Sequence, residues 1–151
     1  MKKLIVILLL LIGSLSIGAS QSLHQTLRCA EWKVDNQRRD HYIFYSREDF
    51  IDQGRRDLVS QCDRINASGI IIGKTTYPGE HQFNYYYYIN GNKLAIQYHD
   101  FDFGGHTAPE WKYFKLTSNK KRVLTFEPAK DGDRFTPTFT LTPVPAKKKN
   151  K

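Results

Sequence analysis

Residues 81–98 read HQFNYYYYINGNKLAIQY, and the alternation within them decides the fold. Asn90-Gly91 is a two-residue hairpin signal, because both residue types tolerate the positive φ that such turns require. Closing the chain there sets Tyr87 against Leu94, Tyr85 against Ile96 and Phe83 against Tyr98 on one face. The opposite face then carries Tyr88 with Lys93, Tyr86 with Ala95 and Asn84 with Gln97. A turn on Gly91-Asn92 slides the pairing but leaves the same residues on each face. One face is apolar or aromatic and the other mixed, as in an antiparallel pair with one face against a core. Tyr85 and Tyr87 therefore point inward, and Tyr86 and Tyr88 outward. Continued alternation puts His99 outward with them, forming an outer aromatic face of Tyr86, Tyr88 and His99.

The rest of the chain has the same texture. Short aromatic and β-branched runs are separated by Gly, Asn, Asp or Pro, which predicts an all-β domain. Strands are expected at 27–34, 41–46, 69–76, 82–89, 93–101, 110–116, 122–126 and 134–141. About eight strands suffice to close a sheet on itself and remove its exposed edges, so an antiparallel up-and-down β-barrel is expected. Residues 47–65 fit two readings. Ser46 and Asp49 resemble a helix start, and Ile51, Leu58, Cys62 and Ile65 recur at helical spacing. Gly54 weakens a single long helix by about 1 kcal/mol. A short helix near 47–57 followed by a strand is the other reading.

The N-terminus sets the compartment. Lys2 and Lys3 precede nine unbroken apolar residues, 4–12, and small residues follow up to Ser20. That is the three-part pattern of a secretory signal peptide, with cleavage expected before Gln21. The apolar run is too short for a lasting bilayer span, which takes roughly 20 residues. The chain is thus expected to be exported, periplasmic or secreted, without stable membrane insertion after cleavage. Residues 1–20 form the signal, 21–142 a single barrel domain and 143–151 a lysine-rich tail. The formal charge of +8 shrinks once located, because Lys2, Lys3, Lys147, Lys148, Lys149 and Lys151 lie in the signal and tail. Subtracting those six leaves +2 on the folded part, which argues against a specific nucleic-acid groove. Cys29 and Cys62 both lie in the exported part, and an even count in an oxidising compartment predicts a disulfide.

Catalytic signatures are sparse. The stretch HDFDFGGH, residues 99–106, groups His99, Asp102 and His106, but alternation puts His99 and Asp102 on opposite faces. A metal-dependent hydrolase built on them would need the chain to bend back at Gly104-Gly105. No H-E-x-x-H, G-x-S-x-G or P-loop pattern occurs, so no catalytic residue, metal or cofactor is expected. Asn66-Ala67-Ser68 matches a glycosylation acceptor, which matters only in a eukaryotic source.

Ala30-Glu31-Trp32-Lys33-Val34, followed by Tyr42-Ile43-Phe44, resembles the start of small exported bacterial lipocalin-like proteins of the calycin superfamily. The segments YYYYINGNKLAIQ and WKYFKLTSNKKRVLTF resemble their second half. In that family a G-x-W motif opens the first strand and its tryptophan plugs the barrel floor. Trp32 matches the tryptophan, whereas Ala30 stands where the glycine is expected. The resemblance implies that Arg134 packs over Trp32, and that the eight-stranded interior holds packed side chains or one small ligand. Phe83, Tyr85, Tyr87, Leu94, Ile96, Tyr98, Phe139 and Leu141 are the expected lining. The expectation is therefore a non-enzymatic barrel binding a small hydrophobic or amphipathic molecule. The alternative is a filled barrel whose outer face meets a partner protein or cell-surface polymer.

Overall fold

The tyrosine hairpin forms, with its turn on the second of the two candidate positions. A computed structural model of the chain describes residues 19–36, 38–76, 78–98, 110–129 and 136–146. In it, β4 (His81–Asn90) pairs with β5 (Lys93–Tyr98) antiparallel, setting Asn90 opposite Lys93, Tyr88 opposite Ala95 and Tyr87 opposite Ile96. The loop is Gly91-Asn92, and Gly91 takes φ 63. A positive φ at the first loop position is where glycine costs least. The pairs expected from an Asn90-Gly91 turn are thus shifted by two residues, and the faces are unchanged.

The remaining strands are β1 (Glu31–Val34), β2 (His41–Ser46), β3 (Gly69–Thr75), β6 (Glu110–Lys120), β7 (Val123–Pro128) and β8 (Phe139–Pro143). Each pairs with its sequence neighbour, and β8 pairs back to β1, so the sheet is a closed antiparallel barrel in the order β1 to β8. Alternation works as expected: Trp32, Val34, Tyr42, Phe44, Ile71, Tyr85, Tyr87, Leu94, Ile96, Phe114, Leu124, Phe126, Phe139 and Leu141 belong to one buried cluster. At Gly73 a Cβ would overlap the Phe83 ring directly across the β3–β4 pair, so any larger residue there would displace that ring.

One helix departs from the expectations, and two more decide between the open readings. The strand expected at 27–34 begins only at Glu31, because residues up to Arg28 form α1 (Ala19–Arg28). Leu23 and Leu27, one helical turn apart, face the barrel and join its core. α1 closes the end at which β1, β3, β5 and β7 begin. The indole Nε1 of Trp32 donates to the Leu27 carbonyl at 2.8 Å, fastening the helix to the first strand.

Residues 47–65 resolve into α2 (Arg47–Asp52) and α3 (Arg56–Arg64), with no strand from 58 to 62. Ser46 caps α2 reciprocally, its Oγ accepting from Asp49 N while Asp49 Oδ2 accepts from Ser46 N. Gly54, at φ 70, ends the helix. Arg55 N donates to Phe50 O and Gly54 N to Ile51 O, the paired bonds of a Schellman motif. Gly54 is therefore a stop between two helices, not a weak point within one. Phe50, Cys62, Ala67 and Ile70 form a second cluster outside the barrel, with Tyr45, Leu58, Val59, Ile65, Tyr86 and Trp111 packed against it.

The disulfide expectation is also corrected. Cys29 and Cys62 are both free, Cys29 exposed in the turn after α1 and Cys62 on the buried face of α3. Burial pushes the Cys62 thiol above its usual range. The two cysteines sit in different environments because α1 packs on the barrel core and α3 on the outer cluster. Finally, β6 runs to Lys120 rather than stopping at 116, with a register shift between Leu116 and Ser118, and β8 starts at Phe139 rather than 134.

Candidate functional site

The barrel interior divides into two zones. Toward α1 it is filled: Tyr87, Leu94, Ile96 and Leu141 are 0 % exposed and Tyr85 1 %, so no water-sized space borders them. Phe44 meets Tyr87 edge-on at 5.2 Å, and Phe139 stacks on Phe126 at 5.2 Å while meeting Phe114 edge-on at 4.8 Å. Tyr85 and Tyr87 therefore fill the interior. The Tyr87 hydroxyl donates to the Tyr45 carbonyl at 3.2 Å and lies 2.9 Å from His24 Nε2 on α1. Burial raises the Tyr87 phenol well above its ordinary range, keeping it a neutral donor.

Toward the opposite end the packing opens. Tyr42, Phe83, Tyr85 and Tyr98 form a ring cluster with centroid separations of 6.1 Å for Tyr42–Phe83, 4.6 Å for Phe83–Tyr85 and 4.8 Å for Tyr85–Tyr98. Tyr42 is buried, whereas Phe83 and Tyr98 are only half-buried. Burial, followed by the nearby Tyr98, Tyr85 and Asp40, raises the Tyr42 phenol well above its ordinary value. The guanidinium of Arg38 lies 5.9 Å from the Phe83 ring centre, within reach of a cation–π contact.

One buried charge organises this end. Asp40, 0 % exposed, accepts from Asn36 Nδ2 at 2.9 Å and Arg38 at 3.1 Å, and from the Thr75 hydroxyl. Its own amide donates to Asn36 Oδ1 at 3.1 Å, closing the β1–β2 turn. Thr75 thereby ties that turn to the end of β3, and Arg39 is held at φ 53. Lys112 occupies an inward register position opposite Ile96, its Nζ 3.4 Å from Glu110. Every buried side-chain polar atom among the described residues has a hydrogen-bond partner.

The outer face differs from its expected composition. Tyr86 points outward but is half-buried under α3, where its hydroxyl donates to Gln61 Oε1 at 2.8 Å. Tyr88 is 43 % exposed, and Tyr113, which the sequence reading did not single out, is 48 % exposed. The alternation of Trp111, Tyr113 and Lys115 along β6 is the signal that could have found it. Arg134, His99, Asp102 and His106 lie outside the described residues. A further groove of about 510 Å³ opens outside the barrel beside Arg28, Glu31, Tyr45 and Asp49. The guanidinium of Arg28 donates to both Asp49 oxygens there.

The fold and these contacts define a closed eight-stranded antiparallel barrel, plugged by a helix at one end and lined with partly uncovered aromatic rings at the other. No family model, curated protein or solved structure matches the chain.

Proposed function

We propose that the protein is an exported, non-enzymatic β-barrel that binds a small, partly apolar molecule at the barrel end opposite α1. One observation carries this reading: Phe83 and Tyr98 keep part of their rings uncovered on top of the buried Tyr42 and Tyr85. Aromatic surface left partly open beside a few polar groups is the lining that small-molecule sites favour. The tyrosine hydroxyls can both donate and accept, which suits a ligand with one polar end. Filling by Tyr87, Leu94, Ile96 and Leu141 limits the ligand to this end. Lipocalin-like membership belongs to the same proposal and is supported by the strand count, the closure and the position of Trp32 on β1. Export rests on the sequence of residues 1–20.

The test is a titration with the neutral fluorophore N-phenylnaphthylamine. Saturable enhancement is expected with the wild type, weakened about tenfold in Phe83→Ala/Tyr98→Ala by loss of contacts worth more than about 1 kcal/mol.

The tight packing of the inner zone favours a second reading, an exported interaction protein with a filled barrel. In that case Phe83→Ala/Tyr98→Ala leaves binding to the partner intact, and substitutions on the outer face abolish it.

A further inference from the structure

The register places an aromatic row across the outer face of three strands. Tyr88 on β4 lies opposite Ala95 on β5, which lies opposite Tyr113 on β6. Ala95 points outward but is only 4 % exposed, while the flanking Tyr88 and Tyr113 are 43 % and 48 % exposed. A methyl group covered on an outer face is shielded by its larger neighbours, and the flanking Tyr88 and Tyr113 keep close to half of their surface in solvent. The tyrosines are two strands apart, roughly 10 Å by ordinary strand spacing, about the span of two linked hexose rings. The next outward row carries Lys93 opposite Lys115. Neither lysine has an ion pair among the described residues. The β6–β7 hairpin continues past β5 to an exposed tip of three more cations at residues 120–122.

We propose that the Tyr88–Ala95–Tyr113 row, flanked by Lys93 and Lys115, binds an acidic polysaccharide. Sugar rings stack their C–H faces on the tyrosines, and uronate carboxylates meet the lysines. Charge decides the class of sugar: an aromatic row beside Lys93, Lys115 and the cationic tip at residues 120–122, set against the single carboxylate of Glu127, is complementary to an anionic chain. Single-stranded nucleic acid also stacks on aromatic rings, but within a continuous basic groove that tracks its backbone. Glu127 faces Lys115 across β6–β7 and breaks such a track. This site lies outside the barrel and does not depend on the ligand end.

Affinity electrophoresis through gels containing polygalacturonate, the neutral glucan laminarin or oligothymidylate tests it on the full chain. Polygalacturonate is expected to retard the wild type and laminarin and oligothymidylate not to. The retardation should weaken at least about tenfold in Tyr88→Ser/Tyr113→Ser and decline with added salt. Lys93→Glu/Lys115→Glu, which touches no core contact, should weaken it similarly, with unchanged melting temperature. Retardation that survives both double variants assigns the effect to the lysine tail and overturns the proposal. So does stronger retardation by laminarin or oligothymidylate, or none by polygalacturonate.

Discussion

His24 Nε2 lies 2.9 Å from the Tyr87 hydroxyl, and the two rings meet edge-on at 5.8 Å, so the helical plug is joined to the barrel through one histidine. The Tyr87 hydroxyl also reaches the Tyr45 carbonyl at 3.2 Å, so a neutral His24 ring can donate to it or accept from it according to tautomer. Burial first, then Arg28, lowers the His24 pKa from its ordinary 6.5, while Glu48 and Asp49 pull the other way. The fold therefore favours the neutral ring.

A lowered histidine pKa fixes the sign of the pH dependence. The contribution of His24 is fully present above pH 6.5 and is lost as pH falls through that value toward the lower folded one. Asp49 acts in a separate, more acidic window. Burial raises its carboxyl, but hydrogen bonds from Arg28 and Ser46 outweigh that and leave it below 3.8. Thermal melts are expected to lose stability between neutral pH and about 5, and His24→Gln to flatten that limb. At neutral pH the same variant should cost about 1 kcal/mol, one hydrogen bond. An unchanged limb in the variant would assign the acid sensitivity elsewhere.

Asp40 is the second prediction. Its carboxylate is the common acceptor for Asn36, Arg38 and Thr75. Asp40→Ala removes the common acceptor of three donors, of which the buried Thr75 hydroxyl keeps only its bond to the Arg38 carbonyl, and is expected to cost about 1–3 kcal/mol. Denaturant unfolding reads this directly. The double variant with Thr75→Val should cost less than the sum of the two single changes, because both remove the same Thr75–Asp40 bond.

Lys121 and Arg122 form the β6–β7 turn with φ 54 and 66, conformations that cost non-glycine residues energy. Asparagine followed by glycine suits such a turn best, so Lys121→Asn/Arg122→Gly is expected to stabilise the chain by about 1 kcal/mol. A rise in melting temperature checks it, and a fall would mean that the two native side chains make contacts worth more than the strain.

Much of this architecture was legible in residues 81–98. A period of two sorts Tyr85 and Tyr87 from Tyr86 and Tyr88 whichever turn forms, because shifting a hairpin by two residues preserves both faces. The turn itself was not legible, since Asn90-Gly91 and Gly91-Asn92 both satisfy the backbone. The plug was missed because Leu23 and Leu27 are a single helical repeat beside a signal-like segment, too short a pattern to stand out. Asp40 was invisible for a different reason: Thr75 lies 35 residues away, and only closure of the barrel brings them together. The cover over Tyr86 likewise depends on where α3 packs, which alternation within β4 cannot report.

The central claim is that a small molecule binds beside Phe83 and Tyr98, and native mass spectrometry tests it most directly. The wild-type chain and Phe83→Ala/Tyr98→Ala would each be incubated with fatty acids, sterols and aromatic amphiphiles and their intact masses compared. A one-to-one adduct with at least one class is predicted for the wild type and a much reduced adduct for the folded variant. A bare wild-type chain with every class, or an adduct equally abundant in the variant, would contradict it.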